Sequence, residues 1–207
     1  SSWDKMFVLP EDLSYEPGYE DSLEGRATSE GISVREALMD AMADGRPILY
    51  LFGDYDYSVQ PQFDFISRDQ SVFGLSDGGA HVGVLCDASV PTYMLAYATR
   101  DRQKGPQLPL EFVVHKMSQD TAQVYGFTDR GVIAEGYKAD VNIIDYDKVR
   151  LHDPEMVFDL PSGGKRLIQK ADGYTATICG GVVTYENGVH TGEMPGRLIR
   201  GGQIEAV

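Results

Sequence analysis

The sequence predicts an α/β fold in which helices alternate with buried strands to about residue 130. A small, mostly β module then runs from 131 to 207. Three observations carry that reading. Ser33-Val34-Arg35-Glu36 can open a helix with a capping box, serine oxygen to the Glu36 amide and glutamate back to the Ser33 amide. Ile48-Leu49-Tyr50-Leu51-Phe52 and Val72-Phe73-Gly74-Leu75 are short continuous apolar runs, as expected of strands covered on both faces. Gly180-Gly181 and Asn187-Gly188 punctuate strand-like runs, and two-residue hairpin turns require residues that tolerate positive φ.

In chain order, the first thirty residues are rich in Pro, Gly, Tyr and acids and read as an irregular loop. In the helix over 33–44, Val34, Leu38 and Met42 line one face and Gly45 supplies the stop. Pro47 leads into the first apolar run. Polar residues and Pro61 follow, then a weak helical segment near 63–67. The second apolar run ends at Ser76-Asp77-Gly78-Gly79. Helix, strand, short helix, strand is the rhythm of a parallel α/β architecture. From Pro91 the pattern turns helical. Pro109 suits a first helical turn, and Leu110, Val113, Val114 and Met117 recur at helical spacing. Ser118 can cap a further short helix that Gly126 closes. After Gly131 strands are expected over 139–145, 175–179 and 182–185.

Composition narrows the function classes. With 32 acidic against 18 basic residues the net charge is −14, a field that repels a phosphate backbone, so nucleic acid is not an expected partner. The acids are dispersed and read as solvating surface. No apolar stretch approaches the roughly 20 residues that span a bilayer, so no membrane is expected either. Residues 1–5 lack the basic start and apolar middle of a signal peptide. Cys86 and Cys179 are far apart and form no Cys-x-x-Cys pair, so a reduced cytoplasmic setting is the default expectation.

Ser76-Asp77-Gly78-Gly79-Ala80-His81 is the most informative stretch. It places a carboxylate directly after an expected buried strand, where parallel sheets and barrels put their sites. Gly78 and Gly79 let the backbone bend and leave space beside that carboxylate for a substrate. An imidazole, His81, follows four residues after Asp77. On residue chemistry alone, an Asp-Gly-Gly after a strand is more often a plain turn than a site.

This stretch resembles the motif after strand eight in the amidohydrolase superfamily, particularly the D-aminoacylase (N-acyl-D-amino-acid deacylase) branch. Met117-Ser118-Gln119-Asp120-Thr121-Ala122 through Phe127 is similar to the helix that follows there. Asp129-Arg130-Gly131-Val132-Ile133-Ala134-Glu135-Gly136-Tyr137-Lys138-Ala139-Asp140-Val141 resembles the return into a β-sandwich. Gly180-Gly181-Val182-Val183 and Pro195-Gly196-Arg197 resemble the closing hairpin and tail. Trp3-Asp4-Lys5-Met6 and the helix at 33–44 look like the approach to the seventh barrel strand. The resemblance implies that residues 1–130 are the C-terminal part of a (β/α)8 TIM-type barrel. Residues 131–207 would be part of a small β-sandwich. It also implies zinc at the barrel mouth, with Asp77 as catalytic and metal-associated carboxylate. In that role Asp77 activates metal-bound water as general base. His81 either lines the substrate pocket or only hydrogen-bonds its loop.

The sequence also departs from that pattern. It has four histidines, His81, His115, His152 and His190, and no His-x-His. The last three read as structural or surface residues. Cys86 follows the motif rather than an early strand and is not carried over as a bridging thiolate. Zinc needs about three or four protein ligands, and one is visible. No basic residue follows the motif until Arg100. Arg100 and Arg102 are candidates to grip a substrate carboxylate only if the loop folds back and otherwise read as solvated helix charges, so D-specificity does not follow. Asp140 and Asp145 frame a strand without a catalytic reading. The expectation is therefore a fragment of a metal-dependent hydrolase acting on C–N bonds of a small N-acyl amino acid or related amide, inactive in isolation. The alternatives are a cyclic-amide hydrolase of the hydantoinase or dihydroorotase type, and a non-catalytic remnant or interaction domain. Unpaired sheet edges in a truncated barrel lead us to expect a homo-oligomer.

Overall fold

The computed structural model describes residues 2–9, 14–45, 48–50, 55–74, 76, 78–79 and 81–199. The chain divides into two compact units, one ending at Ser67 and one beginning at Arg68.

In the first unit the described residues among the first thirty are more ordered than their composition suggests. β1 (Met6–Val8) pairs antiparallel with β2 (Ile48–Tyr50), and α1 (Leu23–Glu30) follows a short turn of 3-10 helix at Tyr19–Asp21. Ser22 caps α1 by accepting from the Gly25 amide at 3.0 Å. Gly25 depresses the helical signal, since mid-helix glycine costs about 1 kcal/mol against alanine. The packing requires it nonetheless: a Cβ there would overlap the Tyr19 carbonyl oxygen. α2 (Val34–Ala43) starts with the expected capping box, Ser33 amide to Glu36 Oε2 at 2.8 Å and Glu36 amide to Ser33 Oγ at 3.2 Å. Its buried face is Ala37 and Ala41, flanked by Val34 and Leu38, and Met42 is 60% exposed. The apolar stripe is thus rotated from the expected one, because Leu23 and Ala27 of α1 pack against the small residues. α3 (Gln60–Ile66) carries Pro61 in its first turn, where a missing amide costs nothing. An aromatic cluster joins the ends of the unit. Phe7 meets Tyr55 edge to face, Tyr55 meets Tyr57, and Lys5 Nζ sits 4.5 Å from the Tyr57 ring centre.

The second unit has a helical and a strand portion. α4 (Val90–Tyr93) continues into a π-helical stretch, Met94–Asp101. α5 (Leu110–His115), a π-helical stretch Lys116–Asp120 and α6 (Thr121–Val124) form one unbroken helix. Ser118 therefore caps no new helix. Its hydroxyl donates back to the Val114 carbonyl at 2.5 Å. Pro109 is the residue before the first turn of α5 rather than inside it.

The strands are β3 (Val141–Ile144), β4 (Arg150–Leu151), β5 (Glu155–Leu160), β6 (Gly164–Ile168), β7 (Ala171–Asp172), β8 (Tyr174–Cys179), β9 (Val182–Glu186) and β10 (Val189–His190). One sheet runs β10-β9-β8-β3, and β4 pairs with β7 and β5 with β6. Both expected hairpin turns are present, with positive φ at Gly180, Gly181, Asn187 and Gly188. The β5–β6 hairpin, which was not among the expected turns, bends at Pro161-Ser162-Gly163 with positive φ at Ser162 and Gly163.

The expected parallel sheet is not what the described residues form: every strand pairing among them is antiparallel. The run at 72–75 is not a strand over its described part, 72–74. Just before it, the Ser71 carbonyl accepts from Lys116 Nζ at 2.8 Å. No helix of the described residues is long and apolar enough to cross a membrane.

Candidate active site

Asp77 lies outside the described residues. Gly78 passes so close to α4's approach that a Cβ would stand 2.9 Å from the Ala88 Cβ, which requires glycine there. Gly79 has open space around it. His81 is exposed and adopts φ +53, a left-handed conformation rare for a residue with a side chain. Its carbonyl accepts from the Val84 amide at 2.8 Å and the Leu85 amide at 3.0 Å, closing a tight turn. The turn rests on β6, whose Leu167 amide donates to the Val82 carbonyl at 2.6 Å. A cavity of about 310 Å³ lies beside it, lined by Gly78, Leu85, Cys86 and Gln169 among others. Burial, and then the charge of Asp87, push the Cys86 thiol above its ordinary range, which disfavours the thiolate a metal would need. A larger, mainly apolar cavity of about 530 Å³ touches Ser76 and is walled by Phe73, Leu95, Met117, Val141 and Ile144.

The other histidines do not converge on this loop. His115 Nδ1 lies 3.1 Å from Asp120, and His152 Nε2 lies 3.0 Å from Asp172. His190 Nδ1 accepts from the Gly192 amide at 3.0 Å, with its ring edge-on to Tyr185. Among the described residues no three His, Cys, Asp or Glu side chains gather closely enough to hold a metal ion. The described residues therefore do not fit a zinc centre.

The two arginines are not solvated helix charges. Arg100 pairs with Asp101 at 2.6 Å, donates to the Tyr146 carbonyl and to the Val149 carbonyl (2.7 Å), and stacks over the Tyr146 ring. Arg102 is 2% exposed and donates to the Pro106 carbonyl at 2.8 Å. A periodicity argument could not find this, because both donate to backbone carbonyls that carry no sequence signature. Asp140 also has a structural task, accepting from the Gly180 amide at 2.7 Å and from Arg130 at 3.1 Å. Asp145 accepts from Lys148 at 2.7 Å. A residue missed by sequence reasoning is Gln169, whose side chain reaches Ser89 beside the motif loop.

Comparison with known proteins bears on the same segment. No curated protein matches the sequence. A crystal structure of D-aminoacylase, described as defining a novel subset of amidohydrolases, is 23% identical with a TM-score of 0.49. The match covers 91% of this chain and 36% of that one, so the chain spans little more than a third of its length. The sequence model of the amidohydrolase family matches residues 39–185, which enclose Ser76 to His81 and most of both portions of the second unit. The chain belongs to the amidohydrolase family.

Proposed function

We propose that this chain is the C-terminal portion of a metal-dependent hydrolase of C–N bonds other than peptide bonds. Within that class the reading is an N-acyl-D-amino-acid deacylase-like enzyme acting on small N-acyl amino acids or related amides. The supporting observation is the family match across 39–185, with Asp77 inside it in the Ser-Asp-Gly-Gly-Ala-His setting. In this reading residues 1–130 complete a (β/α)8 barrel of the longer enzyme and 131–207 complete its β-sandwich. Asp77 is the general base. It takes a proton from the water that attacks the amide carbonyl and returns it to the departing nitrogen. The new C–O bond and the broken C–N bond leave a carboxylic acid and an amine. Gly78 and Gly79 leave room for the scissile group and His81 contacts the substrate.

Zinc enters as a property of the longer enzyme, with Asp77 the one ligand candidate of this chain, since the described residues assemble no further metal set. The isolated chain is accordingly inactive. Preference for a D-amino acid has no support from Arg100 or Arg102, which both donate to backbone carbonyls. A cytoplasmic setting rests on two cysteines that are both unpaired. The acidic charge disfavours nucleic acid, and self-association is read from exposed apolar residues on sheet edges, Ile143 of β3 and Val189 of β10.

The test is hydrolysis of N-acetyl-D- and N-acetyl-L-amino acids by the chain joined to its upstream sequence, with metal content measured alongside. Asp77→Asn is expected to lower kcat by about a hundredfold or more while metal content and fold persist, as loss of a general base requires. A second reading, a non-catalytic interaction domain, is favoured by the lack of a ligand cluster among the described residues. Absence of both metal and turnover in the longer protein establishes it. Turnover of cyclic amides alone redirects the reading to hydantoinase-like chemistry.

A further inference from the structure

β6 and the residue after it fasten the loop that follows Asp77 at two points. At the first, the Leu167 amide donates to the Val82 carbonyl at 2.6 Å. At the second, the Gln169 side chain spans the gap. Its Oε1 accepts from Ser89 Oγ at 2.5 Å and its Nε2 donates to the His152 carbonyl at 2.9 Å. Both ends of the amide are committed, so its orientation is defined. Gly83, between the fastened points, lies in ordinary contact range of the Lys165 side chain, where a Cβ would stand 3.6 Å from Cε.

Immediately before this span His81 holds its left-handed φ of +53. Such a conformation is unfavourable for a non-glycine residue and persists where the surroundings over-determine it. The Leu167 amide and the Gln169 side chain hold the residues that follow His81 from outside the loop. We propose that Gln169, with the β6 backbone, is a positioning device for the His81 loop, so that the strand portion of the second unit sets the geometry of the substrate mouth. The assignment of a substrate mouth rests on the function proposed above, whereas the fastening of the loop does not.

Amide hydrogen exchange on this 207-residue chain tests the fastening. Gln169→Leu keeps the side-chain bulk and removes both polar ends. It is expected to speed exchange of the Val84 and Leu85 amides about tenfold, the scale of a lost hydrogen-bond clamp, while β8 and β9 amides keep their rates. Unchanged rates at Val84 and Leu85, or an equal rise everywhere, overturn the proposal. Should Gln169→Leu not fold, Ser89→Ala removes the same contact from the loop side and carries the same expectations. In the longer enzyme, Gln169→Leu is expected to raise KM about tenfold with kcat retained, the mark of lost substrate positioning. A fall in kcat at constant KM, the mark of lost folded protein, counts against positioning. If the wild-type enzyme shows no turnover, the hydrolase reading fails by itself and the exchange rates alone decide the fastening.

Discussion

The helical and strand portions of the second unit solve the burial problem differently. The helices over 90–124 supply nearly all of its buried side chains, among them Leu95, Ala98, Val113 and Ala122, together with Lys116. The strands β3 to β10 contain no fully buried residue, and the one buried hydrophobic in that region, Val149, lies between β3 and β4. Several strand side chains are strongly exposed instead, such as Phe158, Val189 and Ile143. A helix finishes its own backbone hydrogen bonds and needs cover on one stripe, whereas a sheet needs both neighbours and a covering layer. The strand portion is therefore shaped largely by turns and surface ion pairs, and the helical portion by packing.

Three measurements break or sharpen that contrast. The largest effect is expected from Lys116→Met. The Lys116 ammonium donates to the Arg68 and Ser71 carbonyls at 3.1 and 2.8 Å and lies 3.3 Å from Asp120. Losing a buried charge with three partners is expected to cost about 3 kcal/mol, read from the urea midpoint of the unit that begins at Arg68. An effect below 1 kcal/mol, by the same scale of paired buried charges, would show that the helical portion does not depend on it.

Next comes a matched pair of truncations. Val113→Ala, at 0% exposure, is expected to cost about 2 kcal/mol, and Val183→Ala, at 39% exposure, less than about 0.5 kcal/mol. Equal costs would mean that the strands are covered in solution, for instance by a second copy, and sedimentation would then show the oligomer.

The smallest effect is acid loosening of the strands. Hydrogen bonds from Arg166 hold the Asp159 carboxyl below the usual range, and Lys148 does the same for Asp145. A depressed folded-state pKa means the unfolded chain binds protons first. These pairs therefore stabilise fully above the ordinary aspartate range and lose their contribution as pH falls through the folded values. Exchange of β5 and β6 amides is expected to rise on acidification before that of α5. Simultaneous loss in both portions would remove the distinction.

Legibility in the sequence followed the same division. The capping box at Ser33 and the turns at Gly180-Gly181 and Asn187-Gly188 were readable because each is settled by residues within four positions of one another. α1 was not readable, since Gly25 argues against a helix and only the nearby Tyr19 carbonyl explains it. The family was legible because the Ser76–His81 stretch and its downstream motifs survive in order, while the geometry around Asp77 was not. The loop after His81 is held by bonds from Leu167 to Val82 and from Ser89 to Gln169, partners some eighty residues apart in the chain.

By itself the sequence determined local matters: where helices start, where hairpins turn, the acidic character of the surface and membership of the amidohydrolase family. Tertiary structure alone decided that β1 and β2 pair antiparallel, that residues 72–74 remain outside a sheet, and that Arg100, Arg102 and Lys116 face carbonyls rather than water. The physical reason is that backbone oxygens carry no residue identity. A cation that pairs with one, or a strand that fails to, leaves no mark in the pattern of side chains.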